Sequence, residues 1–179
     1  MASLVRLSVF VLLAGFLLGG CVGGSGEKVV TVDGNNGAGV ITIGEVESVR
    51  LAQNNIDLTA RVDTGAQTSS LDARNIVNIE RDGKKWVRFE VVAAGKKTVM
   101  EKPLARTLLI KQHGREALKR PVVKLDIFLA GKRMQREFSL ADRSNFKYPV
   151  LVGRNVLQGS FIVDVSRKNA GSAMSEASK

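Results

Sequence analysis

The chain has 179 residues, 44% hydrophobic and 25% charged, which suits one globular domain with tails and excludes a low-complexity polymer. Its single cysteine rules out an intrachain disulfide, and its single histidine leaves no His-Glu-x-x-His or similar zinc set. The net charge of +10 at pH 7 requires a place for that charge and a reason for it.

Arg6 precedes an apolar run from Leu7 to Leu18, shorter than a membrane span needs. The run ends in Leu18-Gly19-Gly20-Cys21, which looks like a bacterial lipobox: small residues suit a signal peptidase, and the Cys21 thiol would receive a diacylglycerol. Residues 1–20 are therefore expected to be a signal peptide and Cys21 the lipidation site. A buried core cysteine is the ordinary alternative, and the position of Cys21 argues against it. Val22 rather than Asp after the cysteine points to the outer more than the inner membrane, on the periplasmic side of the envelope. Residues 21–39, with Gly23-Gly24-Ser25-Gly26 and Asp33-Gly34-Asn35-Asn36-Gly37, read as a flexible tether. Val29 to Val32 is long enough for only a short strand contact.

The domain is expected over residues 40–167. Val40 to Leu51 reads as a strand or strand pair, with Gly44 as a possible bulge. In the next stretch Ile56, Leu58, Ala60 and Val62 alternate with Asp57, Thr59, Arg61 and Asp63, the period of a half-buried strand. Ser69 to Ile79 continues as strand, and Arg81-Asp82-Gly83-Lys84 turns into Trp86 to Val92. A turn at Ala94-Gly95-Lys96-Lys97, a strand from Leu104 to Ile110 and a polar loop around His113-Gly114 follow. Pro121 to Leu129, the Gly131-Lys132 turn and Met134 to Leu140 form a hairpin. Val150 to Val152 is a short apolar strand, Asn155 to Gln158 can make one helical turn, and Phe161 to Val165 is the last strand. Trp86, Phe89 and Phe128 fit a core or barrel wall better than a binding platform. Residues 168–179 are small and polar and read as a disordered tail. The pattern is all-β, a closed β-barrel with few short helical turns.

One place in this pattern carries chemistry. The strand ending at Val62 runs straight into Asp63-Thr64-Gly65-Ala66, so a carboxylate sits where an ordered strand hands over to a tight turn. Asp-Thr-Gly is also a good turn sequence by itself. A second stretch, Val150-Leu151-Val152-Gly153-Arg154-Asn155, gives it another meaning. The pairing of an Asp-Thr-Gly-Ala loop with a later apolar-Gly-Arg segment resembles the retropepsin-like aspartic peptidases. The resemblance narrows to a bacterial family labelled ATP-dependent zinc proteases, the retropepsin-like neighbours of glutamate-ligase proteins. It rests on residues 60–73, Trp86-Val87-Arg88-Phe89, Arg120-Pro121-Val122-Val123 and residues 150–154, and covers about Ile43 to Ser166.

The resemblance implies an acid-protease half-barrel that works as a homodimer, each chain contributing one Asp63. Like charges so close share one proton, which makes one carboxyl a base for water and the other a donor to the scissile carbonyl. Asp72, Asp126, Asp142 and Asp164 lack the Thr-Gly context and read as surface or structural acids. Thr64, Gly65 and Ala66 would shape the loop, with Thr64 locking the two loops together. Gly153 would pass close beneath the loop, and Val150 and Val152 would fill the space behind. Arg154 loses its usual partner, because Gln67 stands where retroviral relatives carry Asp, and Asp72 replaces the family's common His. No glycine-rich flap is visible, so any cover for the cleft must come from Ala94 to Arg120. Neither part of the family label fits this chain: zinc lacks ligands, and no Gly-x-x-x-x-Gly-Lys-Ser/Thr loop exists for ATP. No metal and no other cofactor are expected.

Between Arg81 and Arg120 stand twelve Lys or Arg against four acids. The reading excludes nucleic acid, for want of stacking aromatics and because of the expected export. An anionic surface, an acidic peptide or protein substrate, or a solvated basic face remain. The expected function is an envelope-anchored aspartic endopeptidase; the alternative is a retropepsin-shaped binding or regulatory lipoprotein without hydrolysis.

Overall fold

The computed structural model describes residues 39–112 and 115–171. The expected signal peptide, Cys21, the tether up to residue 38 and His113 lie outside the described residues. Ten strands form one continuous ladder: β1 (Ile41–Leu51), β2 (Ile56–Val62), β3 (Ser69–Asp72), β4 (Arg74–Arg81), β5 (Lys84–Ala93), β6 (Lys96–Gln112), β7 (Arg115–Leu129), β8 (Lys132–Ala141), β9 (Val150–Val152) and β10 (Phe161–Lys168). Their spatial order is β10-β1-β2-β9-β3-β8-β7-β6-β5-β4. A further pairing of β1 with β7, Val49 opposite Leu129 and Leu51 opposite Ile127, closes the middle of this ladder into a six-stranded barrel. The fold is all-β, as the sequence implies.

Alternation explains the closure. Along β2, Ile56, Leu58, Ala60 and Val62 are buried while Asp57, Thr59 and Arg61 face water. Facing them are Val49 and Leu51 of β1, Leu125, Ile127 and Leu129 of β7, and Phe138 and Leu140 of β8, all buried. Phe89 of β5 is fully buried in the same cluster, so the β4–β6 arm is packed onto the barrel rather than free of it. Three hairpins turn on two residues of positive φ: Asp82-Gly83, Ala94-Gly95 and Ala130-Gly131. Both central residues at positive φ match the right-handed strand twist.

Several bounds differ from the alternation-based expectation. The strand expected from Ser69 to Ile79 is two strands. Ala73 is buried, and its amide donates to the Ala141 carbonyl at 2.9 Å, after which the chain leaves β8 and pairs with β5 instead. β6 begins at Lys96, not Leu104, because its first half pairs with β5 and its second with β7. β1 shifts register between Gly44 and Val46, the expected bulge. β10 runs on to Lys168, and the first residues of the expected tail are docked: the Asn169 amide donates to the Val46 carbonyl, and Ala170 is buried. The Gly171 amide donates to Oε1 of Glu47, a carboxylate only 1% exposed that also accepts the Gly44 amide.

Candidate active site

The Asp63 loop is built from both ends of the chain. β2 and β9 pair in parallel, Val62 opposite Val152, and the Asp63 amide donates to the Val152 carbonyl at 2.9 Å. This ladder fixes where the backbone leaves the sheet. The loop then folds around its own carboxylate: Oδ1 of Asp63 accepts the amides of Gly65 at 2.9 Å and Ala66 at 3.2 Å. Among the described residues no hydrogen bond reaches Oδ2. The side chain is half-buried, with Thr64 and Gly65 exposed beside it. A carboxylate with one oxygen anchored and one open is oriented without being consumed by a structural partner.

Gly153 passes beneath this loop as expected. A Cβ there would lie 2.9 Å from the Ala66 carbonyl oxygen, 3.0 Å from the Thr68 carbonyl carbon and 3.2 Å from the Ser69 nitrogen, all of them backbone. Its φ of −97° suits any residue, so the need for glycine here is close approach alone. Val150 and Val152 are fully buried behind it. From Gly153 the chain enters α1 (Arg154–Leu157), one turn long, whose first amides reach back: Arg154 to the Ala66 carbonyl at 2.8 Å and Asn155 to the Gln67 carbonyl at 3.2 Å.

Arg154 has exchanged a carboxylate for backbone. Its Nη1 donates to the carbonyls of Thr64 at 3.1 Å and Gly65 at 2.7 Å, which accounts for an arginine opposite Gln67 rather than Asp. Asp72 is a structural acid, buried at the far end of β3: Arg74 binds both its oxygens, and the Arg143 amide donates to Oδ1 at 2.6 Å. Asp142 and Asp164 accept from Ser144 and Ser166, which hold their carboxyls below the usual range.

Sequence reasoning missed the hub under the loop. Ser69 is fully buried; its Oγ accepts the Gly153 amide at 2.9 Å and donates to Oδ1 of Asn155 at 2.8 Å. Oδ1 also accepts the Ser69 amide at 2.9 Å, while Asn155 Nδ2 donates to the Glu137 carbonyl at 2.7 Å. Ser139 completes the set by donating to the Ser69 carbonyl at 3.2 Å. Every buried polar atom in this hub is thus matched, and β3, β8 and α1 are tied together. The only sequence signal was polarity where strands should be apolar, at Ser69 and Ser139.

Two hollows flank the loop. One, about 310 Å³, is lined by Gln67, Thr68, Arg106, Lys124, Arg136 and Glu137 among others. Only Glu137 is acidic, and it is engaged by Arg106 at 2.8 Å. The other, about 540 Å³, is lined by Thr64, Arg154, Leu157, Gln158, Phe161 and Val163. No group of three or more His, Cys, Asp or Glu residues suited to a metal ion occurs among the described residues.

The family model for RimB-like proteins, described as retropepsin-like aspartic endopeptidase RimB, matches residues 42–172. Two curated relatives, each described as a probable alpha-L-glutamate ligase, are similar over part of their length. That of Desulfotalea psychrophila is 33% identical over 111 residues, 60% of this chain and 24% of the relative. That of Shewanella pealeana is 34% identical over 113 residues, 61% and 25% respectively. The chain thus spans about a quarter of these relatives. A crystal structure of the Legionella pneumophila protein Lpg0085, of unknown function, superposes with a TM-score of 0.66 at 32% identity, covering 73% of this chain and 98% of that one. Fold, loop and family match agree, and the chain belongs to the RimB-like family of retropepsin-like aspartic endopeptidases.

Proposed function

We propose that this protein is an aspartic endopeptidase whose active form is a symmetric dimer with one Asp63 from each chain. The observation that carries the reading is the half-open Asp63 carboxylate, oriented through Oδ1 by two amides while Oδ2 is left for chemistry. One carboxyl of the pair is ionised and takes a proton from water as its oxygen attacks the scissile carbonyl carbon. The other donates its proton to the carbonyl oxygen, giving a tetrahedral diol that collapses as the amide nitrogen is protonated and leaves. The low-lying surface beside the loop supports self-association: the 540 Å³ hollow abuts Thr64, and β10, an edge strand of the ladder, exposes Ile162 and Val165. Unpaired edges with apolar side chains are sites where a second chain adds.

The substrate we propose is an acidic peptide. Arg106, Lys124 and Arg136 line the hollow next to Gln67 and Thr68, and the relatives named for glutamate ligation share this domain. The Leu18-Gly19-Gly20-Cys21 run supports lipid anchoring at Cys21 on the periplasmic side of the envelope. Changing Cys21 to Ser should leave an unprocessed, unlipidated precursor; a wild-type protein that partitions into buffer without detergent refutes the anchor.

Asp63→Asn tests the catalytic reading. It keeps the Oδ1 acceptor for Gly65 and Ala66 but supplies no base, so cleavage of acidic peptides should vanish with the circular dichroism unchanged. Excess Asp63→Asn chains should poison the wild type, and a chelator should have no effect. Full cleavage by the variant sinks the aspartic mechanism. A stable dimer that cuts no peptide at any pH favours the binding-protein alternative.

A further inference from the structure

Away from the Asp63 loop, two arginines carry N–H donors that no acceptor takes up among the described residues. Arg143 lies just past the end of β8 and is only 9% exposed. Its Nε donates to the Tyr148 carbonyl at 3.3 Å and its guanidinium stacks on Phe146 at 4.5 Å. Among the described residues, neither terminal nitrogen of Arg143 has a partner. Arg120 enters the same region from β7: the β7–β8 register, Val122 opposite Ser139, brings it level with Ala141, two residues before Arg143. Its Nε is buried with no partner.

The Asp72 carboxylate at this end of β3 is already engaged. Both oxygens of Asp72 are held by the Arg74 fork at 3.0 and 3.2 Å, and Oδ1 also takes the Arg143 amide. The two guanidiniums sense each other: burial first, and then the Arg120 charge, push the Arg143 guanidinium below its ordinary value, with Asp72 opposing. Two like charges beside the buried, unpartnered Arg120 Nε call for a counter-ion, since buried polar groups are matched almost everywhere else in folded proteins. A single water could satisfy Arg120 Nε but would leave the repulsion untouched. The two arginines come from two elements, a strand and a loop, and phosphate-type oxyanions accept from several directions where a carboxylate takes one fork.

We propose that Arg120 and Arg143 form a binding site for a phosphate group. It sits at the Asp72 end of β3, whereas Ser69 at the other end supports the Asp63 loop, about 10 Å along the strand. The site is therefore distinct from the peptide hydrolysis proposed above and stands or falls without it. Phosphate chemistry has two sources, free inorganic phosphate or the phosphodiester of a lipid headgroup, and the ligand that binds more tightly identifies which.

The test uses the full-length chain in detergent. Thermal unfolding is followed against inorganic phosphate and, separately, against glycerophosphoglycerol, with sodium chloride holding ionic strength constant. Either phosphate compound should raise the midpoint saturably where chloride does not. Arg120→Gln keeps most of the stem packing and should weaken the response at least tenfold, with Arg120→Lys as a second variant if the first folds poorly. Arg133→Gln, an exposed change elsewhere on the barrel, should respond as wild type. Stabilisation by neither phosphate compound overturns the site, as does an Arg120→Gln or Arg120→Lys response equal to wild type.

Discussion

Asn155→Ala should destabilise the domain by about 3 kcal/mol, although its side chain lies in a one-turn helix at the margin of the barrel. Three hydrogen bonds vanish with it, from the Ser69 amide at 2.9 Å, from Ser69 Oγ at 2.8 Å and to the Glu137 carbonyl at 2.7 Å. Each is worth about 1 kcal/mol net, and the fully buried Ser69 amide is left without a partner. Ser69→Ala removes two bonds, including the Gly153 amide's acceptor, and should cost about 2 kcal/mol. The two residues share the Oγ–Oδ1 bond, so the double variant should lose about 4 kcal/mol rather than the sum, a coupling of about 1 kcal/mol. Urea unfolding of the four proteins, with unchanged slope, measures this cycle directly. Additivity within about 0.3 kcal/mol, or an Asn155→Ala cost under about 1 kcal/mol, would falsify the hub. Because the hub also seats Gly153 under the Asp63 loop, the same variants should lose peptide cleavage well before they unfold.

Gly153→Ala places a methyl group 2.9 Å from the Ala66 carbonyl oxygen, against backbone that cannot rotate away, and should cost about 1 to 3 kcal/mol while displacing the loop. A fully stable, active Gly153→Ala protein contradicts the close approach. Glu101 is held below its ordinary 4.5 by hydrogen bonds from Arg88 and then Arg81. A depressed carboxylate stabilises the fold above its unfolded-state pKa, and that contribution is lost as pH falls through the lower folded-state value. Urea midpoints between about pH 2 and pH 6 should therefore drop on the acid side, and Glu101→Gln should flatten part of that slope. An identical pH dependence in the variant removes this pair from the acid response.

The local chemistry of the loop was legible because it is written in adjacent residues. Asp63 follows a cleanly alternating strand, and Gly153 follows two buried valines, so position and neighbours suffice. Long-range satisfaction was not legible. Ser69 and Asn155 are 86 residues apart, and nothing local distinguishes a hub serine from a turn serine. Arg154 was assigned no partner because its acceptors are main-chain carbonyls, which every residue has. The break at Ala73 was hidden for a related reason: strand propensity runs through it, and only the change of pairing partner from β8 to β5 ends one strand and starts another. Nothing local marks Glu47 as buried; one of its partners is the amide of Gly171, more than a hundred residues away.

The parallel pairing of β2 with β9 sets when the site can exist during folding. The Asp63 turn arrives early in the chain, but its floor, Gly153 to Asn155, comes some ninety residues later, after the β4–β8 hairpins have formed. Hairpins close short loops and form quickly, whereas this parallel contact must close a loop of some ninety residues and is gained later. A nascent or partly folded chain therefore carries its aspartate without the platform that aims it. The carboxylate becomes oriented only with the last strands in place, so the competence of the site is tied to completion of the fold.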